Sequence, residues 1–534
     1  MIFPHRSFRK KSKSSCDCEF AQFDDSSSEN AISDNIDINL NNIKAEIGSS
    51  DLIVNLSEIN PDRHIRFAFI YIDNLISNQI LSDYSIELSE ILASVENLDI
   101  KPQDFFKLLK NRFSSFRKAS QGSSLDLVLD GLLSGELVFL LDGHREFISI
   151  DAYSPEGRPV EEPTSQSIVR GPKEGFTEKL GVNIALIRKR IRDKALKSEN
   201  LTVGNRTKTK VTLMYMNDLA KPEIIDEIRR RVNAIQIDGI LESGYIEEMI
   251  KDNRYSVFPT FLSSEKPDTV AACLLEGKVA ILVDGTPFVL TAPALFVEFF
   301  QVSEDYYHQF HISSLVRLFR YIALFLSMFV PSLYIALASF HQEMIPTPLL
   351  INMLAQHEGV PFPTAIEVLL MEAVFEILRE AGIRMPRVIG PAISIVGALV
   401  LGQAAVEAGI ISAIIVIIVS ITAISSFAIP NYGMANATRI IRLVMIFITS
   451  WFGLMGVFLG MVTLLLELCR LKSIGVPYMS PLAPKAKSPM KDTLLRFPLW
   501  KSMARPGGIS ANTSPRVNDK NIVTAKEKEQ PEFR

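Results

Sequence analysis

The sequence predicts an α+β chain joined to a membrane domain. Two tandem cytoplasmic α/β modules are followed by an all-α membrane domain of four to five helices and a disordered tail. Three observations lead to this prediction: a strand-and-turn pattern occurs twice in the first 300 residues, long uncharged runs occupy 313–468, and both chain ends are polar. The average composition, with 47% hydrophobic and 22% charged residues and a net charge of −4, hides this division because it resembles a soluble protein.

These observations divide the 534 residues into six segments. Residues 1–50 are rich in Ser, Asn and Asp and too poor in large apolar side chains to bury a core, which predicts disorder. The C-terminal tail after about residue 480 has a similarly polar composition, which also predicts disorder. The segments are a disordered N-terminal tail (1–50), module 1 (51–165), a linker with a basic helix (166–204), module 2 (205–300), the transmembrane domain (301–480) and a disordered C-terminal tail (481–534).

An internal repeat predicts the two modules. The stretch LLSGELVFLLDGHREFIS (132–149) aligns without gaps with LLEGKVAILVDGTPFVLT (274–291). Each copy contains a helix end, a β-type run, an Asp-Gly pair and a second β-type run. Asp-Gly is a strong hairpin signal because the turn requires positive φ angles. Upstream, RFAFIYIDNL (66–75) resembles KVTLMYMNDL (210–219) at nearly the same offset, which indicates a buried strand in each module.

Runs without Lys, Arg, Asp or Glu predict the membrane domain. A helix needs about 20 apolar residues to cross the hydrocarbon core of a bilayer. The runs are Tyr321–Phe340, Val388–Val406, Ile410–Ile429 and Leu443–Leu466. Glu407 lies between two of them in a Glu-Ala-Gly sequence, so we interpret 388–429 as a helical hairpin whose turn lies at an aqueous end.

The N-terminus is basic but lacks the apolar core of a signal peptide, so we expect the large N-terminal region to be cytoplasmic. The tail from Arg470 carries 13 Lys and Arg, which favours a cytoplasmic C-terminus and an even number of crossings. Four crossings satisfy this condition but place five arginines outside, against the same rule: Arg379, Arg384, Arg387, Arg439 and Arg442. Five crossings place these arginines inside and the tail outside. We prefer four, with a non-crossing helix at 363–380.

The linker contains a predicted basic helix within NIALIRKRIRDKAL (183–196). Ile184, Ile187 and Ile191 fall on one face, and Arg and Lys occupy the rest. Such a helix could contact anionic lipid, or it could be a solvated face packed between the modules. Nucleic-acid binding is not expected because no aromatic residues are interleaved with the basic ones.

The chain contains no motif of an enzyme. We find no phosphate-binding loop, nucleophile elbow, zinc-protease motif or dinucleotide fingerprint. His308 and His311 have no acid or cysteine at ligand spacing, and the four cysteines form neither a disulfide framework nor a zinc-site spacing. We therefore expect no catalytic activity, no cofactor and no metal.

The segment PFPTAIEVLLMEAVFEILREAGIRMPR (361–387) combines an apolar stripe with charged residues. Glu372, Glu376 and Arg379 cluster through i,i+3 and i,i+4 spacing, and Glu367 lies about one turn away. Carboxylates between membrane helices should face water or protein. The segment is therefore either an amphipathic interfacial helix or the lining of a polar path, where carboxylates repeated around a homo-oligomeric ring would favour cations. The second interpretation makes all four residues ion-path candidates.

Small residues and prolines in the uncharged runs give further candidates. Small-xxx-small spacing lets helix backbones approach closely, although it is common by chance. The helix-packing candidates are Gly397, Gly402, Gly456 and Gly460. Pro331 and Pro391 lie inside predicted spans and are hinge candidates, since proline kinks a helix, which suits gating and plain packing equally.

Several long motifs in one order resemble the A subunit of GerA-type spore germinant receptors. The resemblance covers about residues 60–480, and the polar ends of the chain lie outside it. The motifs are RGPKEGFTE with the following NIALIRKRIRD, PALFVEFFQVSEDYY (293–307), EGVPFP (358–363), LLMEAVFEILREAGIRMPR (369–387) and IGPAISIVGALVLGQAAVEAGI (389–410).

The resemblance implies an integral protein of the spore inner membrane, with its N-terminal region on the core side. It implies a transporter-like B subunit, a lipoprotein C subunit, detection of small nutrients and ion release early in germination. The family A subunit is thought to form an oligomeric nutrient-gated ion channel. Glu372, Glu376 and Arg379 match the family's acidic helix, the candidate pore segment.

Three functions remain open at this point. The first is a cation-channel subunit with the cytoplasmic modules as a sensing collar. The alternatives are a non-conducting scaffold and a secondary-transporter subunit. Transporters usually contain inverted repeats of membrane helices, whereas the repeat here lies in the soluble part. The sequence leaves the nutrient, the ion and the copy number open.

Overall fold

The computed structural model describes residues 31–59, 65–95, 102–116, 119–154, 161–163, 166, 168–384, 400–484, 492–499 and 508–511. The chain divides into two compact units. Unit 1 is Met1–Arg158 with Ile184–Glu199, and unit 2 is Pro159–Asn183 with Asn200–Arg534. Two five-stranded sheets and a set of long apolar helices make up the architecture.

Module 1 is a five-stranded antiparallel sheet with four helices. Its strands are β1 (Leu52–Ile59), β2 (Ile65–Ile72), β3 (Ala119–Gly122), β4 (Glu136–Leu141) and β5 (Phe147–Asp151). Its helices are α1 (Ile36–Ile47), α2 (Asn78–Val95), α3 (Pro102–Phe116) and α4 (Leu125–Ser134). The strand order is β1-β2-β4-β5-β3, and one hydrophobic core contains side chains from the sheet and from all four helices.

Module 2 repeats this topology. Its strands are β6 (Leu196–Val203), β7 (Thr209–Met216), β8 (Leu262–Ser264), β9 (Val279–Val283) and β10 (Val289–Ala292). Its helices are α5 (Leu180–Arg190), α6 (Pro222–Asn233), α7 (Ser243–Ile250) and α8 (Pro267–Leu275). The strand order β6-β7-β9-β10-β8 is that of module 1. The predicted pair of tandem α/β modules is confirmed.

The two Asp-Gly turns play equivalent roles in the two copies. Gly143 has φ 76° and Gly285 has φ 93°, as hairpin turns require. The preceding Asp142 accepts a hydrogen bond from the amide that begins α1, and Asp284 accepts one from the amide that begins α5. Each repeat therefore includes a helix before its sheet, tied to the hairpin turn by an aspartate.

Helix α1 lies inside the 1–50 segment for which composition predicts disorder. Ile36, Leu40, Ile43 and Ile47 are buried, and their spacing places them on one helical face. Asn35 caps the helix by accepting a hydrogen bond from the Asp37 amide. The low average content of apolar residues in 1–50 conceals this stripe, because four well-spaced apolar side chains are enough to bury one face of a helix.

The predicted basic helix is α5, and its charges do not all face solvent. Ile184, Ile187 and Ile191 are buried as the periodicity indicates. Arg188 is also buried, and its Nε lies 2.7 Å from an Asp51 carboxylate oxygen. Lipid contact through Arg188 is therefore excluded in this structure, because the guanidinium is used inside unit 1.

The helices of the membrane region follow module 2. They are α9 (Phe310–Ile335, continued by a π-helical turn over Ala336–Phe340), α10 (Thr347–His357), α11 (Thr364–Arg384), α12 (400–407), α13 (Ala413–Phe427) and α14 (Tyr432–Arg470). Phe310–Phe340 and Tyr432–Arg470 are long and apolar enough to cross a membrane. Ala413–Phe427 is apolar but shorter, and most of the predicted run Val388–Val406 lies outside the described residues.

Helix α14 is not one straight rod, which corrects the interpretation of Leu443–Leu466 as a single span. Gly453 has φ 57° and ψ −140°, so the chain reverses there. Met434 and Leu468, from opposite ends of α14, belong to one buried cluster, although 34 residues of straight helix would separate them by about 50 Å. The segments 432–452 and 454–470 are therefore the two antiparallel arms of a helical hairpin.

Parts of the C-terminal tail also pack on unit 2, within the region for which composition predicts disorder. Ile509 is fully buried in a cluster with Leu295 and Val297. Ser510 forms an isolated β-bridge with Ala220, and Lys221 donates a hydrogen bond to the Gly508 carbonyl. These contacts rest on single residues within a polar stretch, so average composition does not reveal them.

Candidate functional site

The acidic helix α11 packs against α9, α13 and α14. Its buried side chains are Glu367, Val368, Met371 and Glu372, whereas Ile366, Leu370 and Ile377 of the predicted apolar stripe are exposed, so the predicted inward face of the helix is wrong. Burying a carboxylate is costly unless a partner compensates the charge. Each of these acids has a polar partner on a neighbouring element.

Glu372 pairs with Arg442 of the first arm of α14. Arg442 Nη2 lies 2.8 Å from Glu372 Oε2, and both side chains are only 3% exposed. Arg442 Nη1 also approaches the Ser327 carbonyl oxygen of α9, at 3.5 Å. Glu372 Oε1 and Arg442 Nε make no hydrogen bond with the described residues. The pair is thus buried but incompletely satisfied.

This pair lies halfway along the membrane arm that carries it. At 1.5 Å per residue, the arm 432–452 is about 30 Å long, close to the thickness of a hydrocarbon core. Arg442 lies about 15 Å from its beginning. In a helix that crosses a bilayer, an ionisable residue so far from the ends is rare and usually functional.

A second pair continues the same interface. Arg439 Nη1 lies 3.2 Å from Glu376 Oε1, and Arg379 contacts the same carboxylate oxygen. Arg439 precedes Arg442 by three residues on α14, as Glu376 follows Glu372 by four on α11. The two helices therefore present matching rows of opposite charge, and the Glu376 side chain is 44% exposed.

Glu367 lies in a separate polar network. His357 Nδ1, at the end of α10, lies 3.1 Å from Glu367 Oε1, and the Ser412 amide donates a 2.9 Å hydrogen bond to Oε2. The other ring nitrogen of His357 lies 3.2 Å from the Tyr334 hydroxyl of α9. The Glu367 carboxylate is fully buried, so it ties α10, α11 and the start of α13 together.

The glycine candidates lie at close helix contacts. Ile448 O lies 2.9 Å from where a Cβ on Gly456 would be, and Met445 occupies the corresponding space at Gly460. These two contacts join the arms of the α14 hairpin. At Gly402 a Cβ would lie 3.3 Å from Val416 of α13. Gly397 lies outside the described residues.

Of the two hinge candidates, only Pro331 can be located. It is buried within α9, five residues before the π-helical turn Ala336–Phe340. That turn contacts the hairpin, since the Phe340 ring lies 2.9 Å from where a Cβ on Gly453 would be. Pro391 lies outside the described residues.

A charged cluster where module 2 meets α9 was not indicated by the sequence. Lys278 Nζ lies 2.7 Å from Glu298 Oε2, and both are nearly fully buried. Burial opposes the charged lysine, but the acidic groups around it outweigh this effect and raise the pKa of Lys278, so it stays protonated. Burial raises the pKa of the adjacent Cys273 thiol to about 11. The Lys278–Glu298 pair joins the beginning of β9 to the segment between β10 and α9.

A metal site is not apparent. Across the residues that the structure describes, no group of three or more His, Cys, Asp or Glu side chains is arranged to hold a metal ion. The described polar groups between α11 and α14 are charge pairs, with carboxylates on one helix and guanidinium groups on its neighbour.

Comparison with known proteins gives consistent results. A family model described as Bacillus/Clostridium GerA spore germination protein matches residues 29–507. Spore germination protein KA of Bacillus subtilis (strain 168) is 44% identical over 486 residues, which is 91% of this chain and 88% of that protein. The uncharacterized membrane protein YfkQ of the same organism is 41% identical over 480 residues, covering 90% of this chain and 92% of YfkQ.

A solved structure is also similar. It is the crystal structure of the N-terminal domain of the A subunit of the Bacillus megaterium spore germinant receptor GerK3, with 34% identity and a TM-score of 0.40. The match covers 50% of this chain and 97% of that chain. From the family match and the extent of the identities, the chain belongs to the GerA family of spore germination proteins, as a non-enzymatic A subunit of a germinant receptor.

Proposed function

We propose that this A subunit forms, as a homo-oligomer, a nutrient-gated cation channel whose opening triggers germination. The observation that carries the proposal is the buried Glu372–Arg442 pair, halfway along the membrane arm 432–452. A carboxylate at that depth is the group a cation path requires, and the arginine explains how the path is kept closed.

The energetics favour a functional pair over a purely structural one. Burying two charges costs several kcal/mol per ion, and well-packed apolar side chains of similar size often stabilise a protein as much or more. Saturating hydrogen bonds would lower that cost, but Glu372 Oε1 and Arg442 Nε lack them. A pair held by one short contact can separate, whereas a fully hydrogen-bonded one would resist opening.

The proposed gating step is separation of Arg442 from Glu372. Once freed, the Glu372 carboxylates of several copies would form a ring of negative charge that favours cations. Glu376, which is half exposed and contacts Arg439 and Arg379, would extend the acidic surface by one helical turn. Glu367 would hold the surrounding helices through His357 rather than line the path.

The wider assembly is proposed on the family resemblance. We place the chain in the spore inner membrane with its modules on the core side, together with a transporter-like B subunit and a lipoprotein C subunit that contribute to nutrient detection. Met434 and Leu468, at the two ends of the α14 hairpin, lie in the same cluster as Phe299 at the end of module 2. Both ends of the hairpin therefore lie on the side of module 2, whichever face of the membrane that is.

Potassium flux from liposomes containing the purified receptor complex tests the proposal. Flux is measured with and without a mixture of amino acids and sugars. Glu372→Gln should change the triggered flux at least about tenfold, whereas Glu380→Gln, an exposed acid on the same helix, should leave it unchanged. Arg442→Gln should raise the flux without nutrient, since the remaining carboxylate loses its counter-ion. Wild-type flux in both Glu372→Gln and Arg442→Gln would refute the channel.

A scaffold is the second candidate, and one observation favours it. Glu367, Glu372 and Glu376 all have partners within a single chain, as expected for helices that only pack together. A scaffold predicts flux that depends on another subunit and is indifferent to charge at position 372. Counting A-subunit copies in the purified complex separates the two, because a channel needs a ring and a scaffold needs one copy.

A further inference from the structure

In the segment 492–499 of the C-terminal tail, two polar side chains are turned inward and four large apolar ones are turned outward. Thr493 and Arg496 are 6% exposed. Four large apolar side chains of the same segment are 37–55% exposed: Leu494, Leu495, Phe497 and Leu499. A soluble surface segment shows the opposite arrangement, since apolar groups normally turn away from water.

The inward polar groups hold the segment against the beginning of α9. Arg317 Nη1 lies 2.8 Å from Asp492 Oδ1, and the Tyr306 hydroxyl donates a 2.5 Å hydrogen bond to Asp492 Oδ2. Arg496 donates to the His308 carbonyl at 3.0 Å. Arg317 is fully buried beneath these contacts. The position of the segment is thus fixed by charge-assisted hydrogen bonds, and the outward direction of its leucines follows from that fixed position.

The surface next to the segment is apolar as well. Leu318 and Phe325 of α9 are 44% and 49% exposed. By helical spacing they lie beside the face of Ser314 and Tyr321, both of which contact the segment. The outward leucines of 492–499 therefore widen an apolar surface that leads directly onto a membrane helix.

The length of α9 places this surface at the boundary of the bilayer. The continuous helix Phe310–Phe340 has 31 residues, about 46 Å, whereas the hydrocarbon core is about 30 Å thick. The uncharged run begins only at Tyr321, after Arg317 and Arg320, so the first turns of α9 are the part that lies in the interfacial region, on the side of module 2. The segment 492–499 binds to these first turns, at Ser314 and Arg317.

We propose that residues 492–499 form an interfacial membrane anchor. Leu494, Leu495, Phe497 and Leu499 would insert at the boundary between lipid headgroups and acyl chains, while Asp492 and Arg496 clamp the start of α9. Lipid is the occupant that the geometry favours, because the surface is continuous with the membrane-crossing face of α9. Apolar groups at this depth bind bilayers in proportion to the area they bury. This inference is independent of ion conduction.

A fluorescent probe at Leu495 tests the anchor in the full-length protein reconstituted in liposomes. Leu495→Cys is labelled with an environment-sensitive nitrobenzoxadiazole group, with Cys16, Cys18 and Cys469 replaced by serine. Arg206→Cys, on an exposed turn of module 2, is the matched control. We expect blue-shifted emission at 495 that is quenched at least about twofold more by lipids carrying a shallow nitroxide than by a water-soluble quencher. The control should show the reverse.

Two results would overturn the anchor. Emission at 495 equal to that at 206 would mean that water covers the leucines. Blue-shifted emission insensitive to both quenchers would mean that protein, a second copy or another subunit, covers them instead. The double variant Leu494→Ser, Leu495→Ser provides a separate check. Its purified yield should equal that of the wild type, because the folded core is unchanged. In liposomes, trypsin should cut it after Arg496 at least about tenfold faster than the wild type.

Discussion

Two buried arginine–carboxylate pairs, one in each compact unit, differ in how fully they are bonded. In unit 1, Arg188 contacts both oxygens of Asp51, through Nε at 2.7 Å and Nη2 at 2.9 Å, and Nη2 also donates to Ser49 Oγ at 3.0 Å. In the membrane region, Arg442 reaches Glu372 through one nitrogen at 2.8 Å. Both pairs are at most 3% exposed.

This difference in bonding indicates a structural role for the Arg188–Asp51 pair and a role in activity for the Glu372–Arg442 pair. A bidentate pair fixes both partners in distance and in plane, so Arg188 and Asp51 hold α5 residues rigidly against the start of β1. A single contact fixes distance only, and it leaves Glu372 Oε1 free to accept a new partner, whether water, an ion or another donor. The comparison therefore predicts a strong effect on stability in unit 1 and a strong effect on activity in the membrane region.

The largest stability effect is expected at Arg188. Arg188→Ala leaves the Asp51 carboxylate buried without a counter-ion, which should lower the free energy of unfolding of unit 1 by about 3–5 kcal/mol. Hydrogen exchange of the β1 amides in the detergent-solubilised chain should accelerate more than about a hundredfold. Arg192→Ala, an exposed arginine two residues beyond α5, should change the stability by less than about 0.5 kcal/mol. Equal effects in the two variants would mean that burial of Arg188 has no energetic weight.

An intermediate effect is expected for the membrane pair, where the double substitution should cost less stability than either single one. Glu372→Met and Arg442→Met each leave one buried charge and should lower the midpoint of thermal unfolding by several degrees, equivalent to about 2–3 kcal/mol. The double variant should unfold within about 1 kcal/mol of the wild type, because two apolar side chains replace an incompletely bonded pair. If the double variant is stable but triggered flux is lost, the pair exists for activity. Additive losses of stability would instead mean that Glu372 and Arg442 do not act as a pair.

The smallest effect is expected at a partly exposed cluster, which gives the baseline for the comparison. Hydrogen bonds from Arg230 and Arg231 lower the pKa of Glu227 on α6 to about 2. A lowered carboxylate pKa contributes stability above its ordinary value of 4.5, and that contribution disappears as the pH falls from 4.5 towards 2.

Because the Glu227 side chain is 30% exposed, Glu227→Gln should cost less than about 1 kcal/mol near neutral pH. The difference between variant and wild type should vanish as the pH falls through that window, followed by hydrogen exchange of the α6 amides. Glu223→Gln, on the same helix, is the control. If the difference in stability grew as the pH fell, the Glu227 carboxylate would stabilise the protein in its protonated form, contrary to its lowered pKa.

Features encoded by neighbouring residues were predictable from the sequence. The tandem modules follow from Asp142-Gly143 and Asp284-Gly285, since a tight turn between two β-type runs is specified within a few residues. The acidic character of α11 follows from i,i+4 spacing in the same way. The shared strand order confirms the repeat that these signals indicate.

Features set by long-range contacts were not predictable. Glu372 and Arg442 are 70 residues apart, and no local pattern identifies one as the partner of the other. The reversal at Gly453 was missed because hydropathy averages over about 20 residues and does not register a change at one φ angle. Burial of Arg188 was missed for a related reason: a helix projection sorts side chains by face but does not reveal an aspartate supplied by another element.

The reversal at Gly453 also limits how this receptor can respond to the bilayer around it. Where long loops join two membrane helices, each helix can shift separately when the bilayer becomes thicker or thinner. The arms 432–452 and 454–470 have no such loop, since a single residue joins them and the Phe340 ring fills the space beside it. A mismatch with lipid is then met by tilting the two arms as a unit or by deforming the bilayer around them. Bilayer thickness would then act on the tilt of the arm that carries Arg442, and so on the charge it holds.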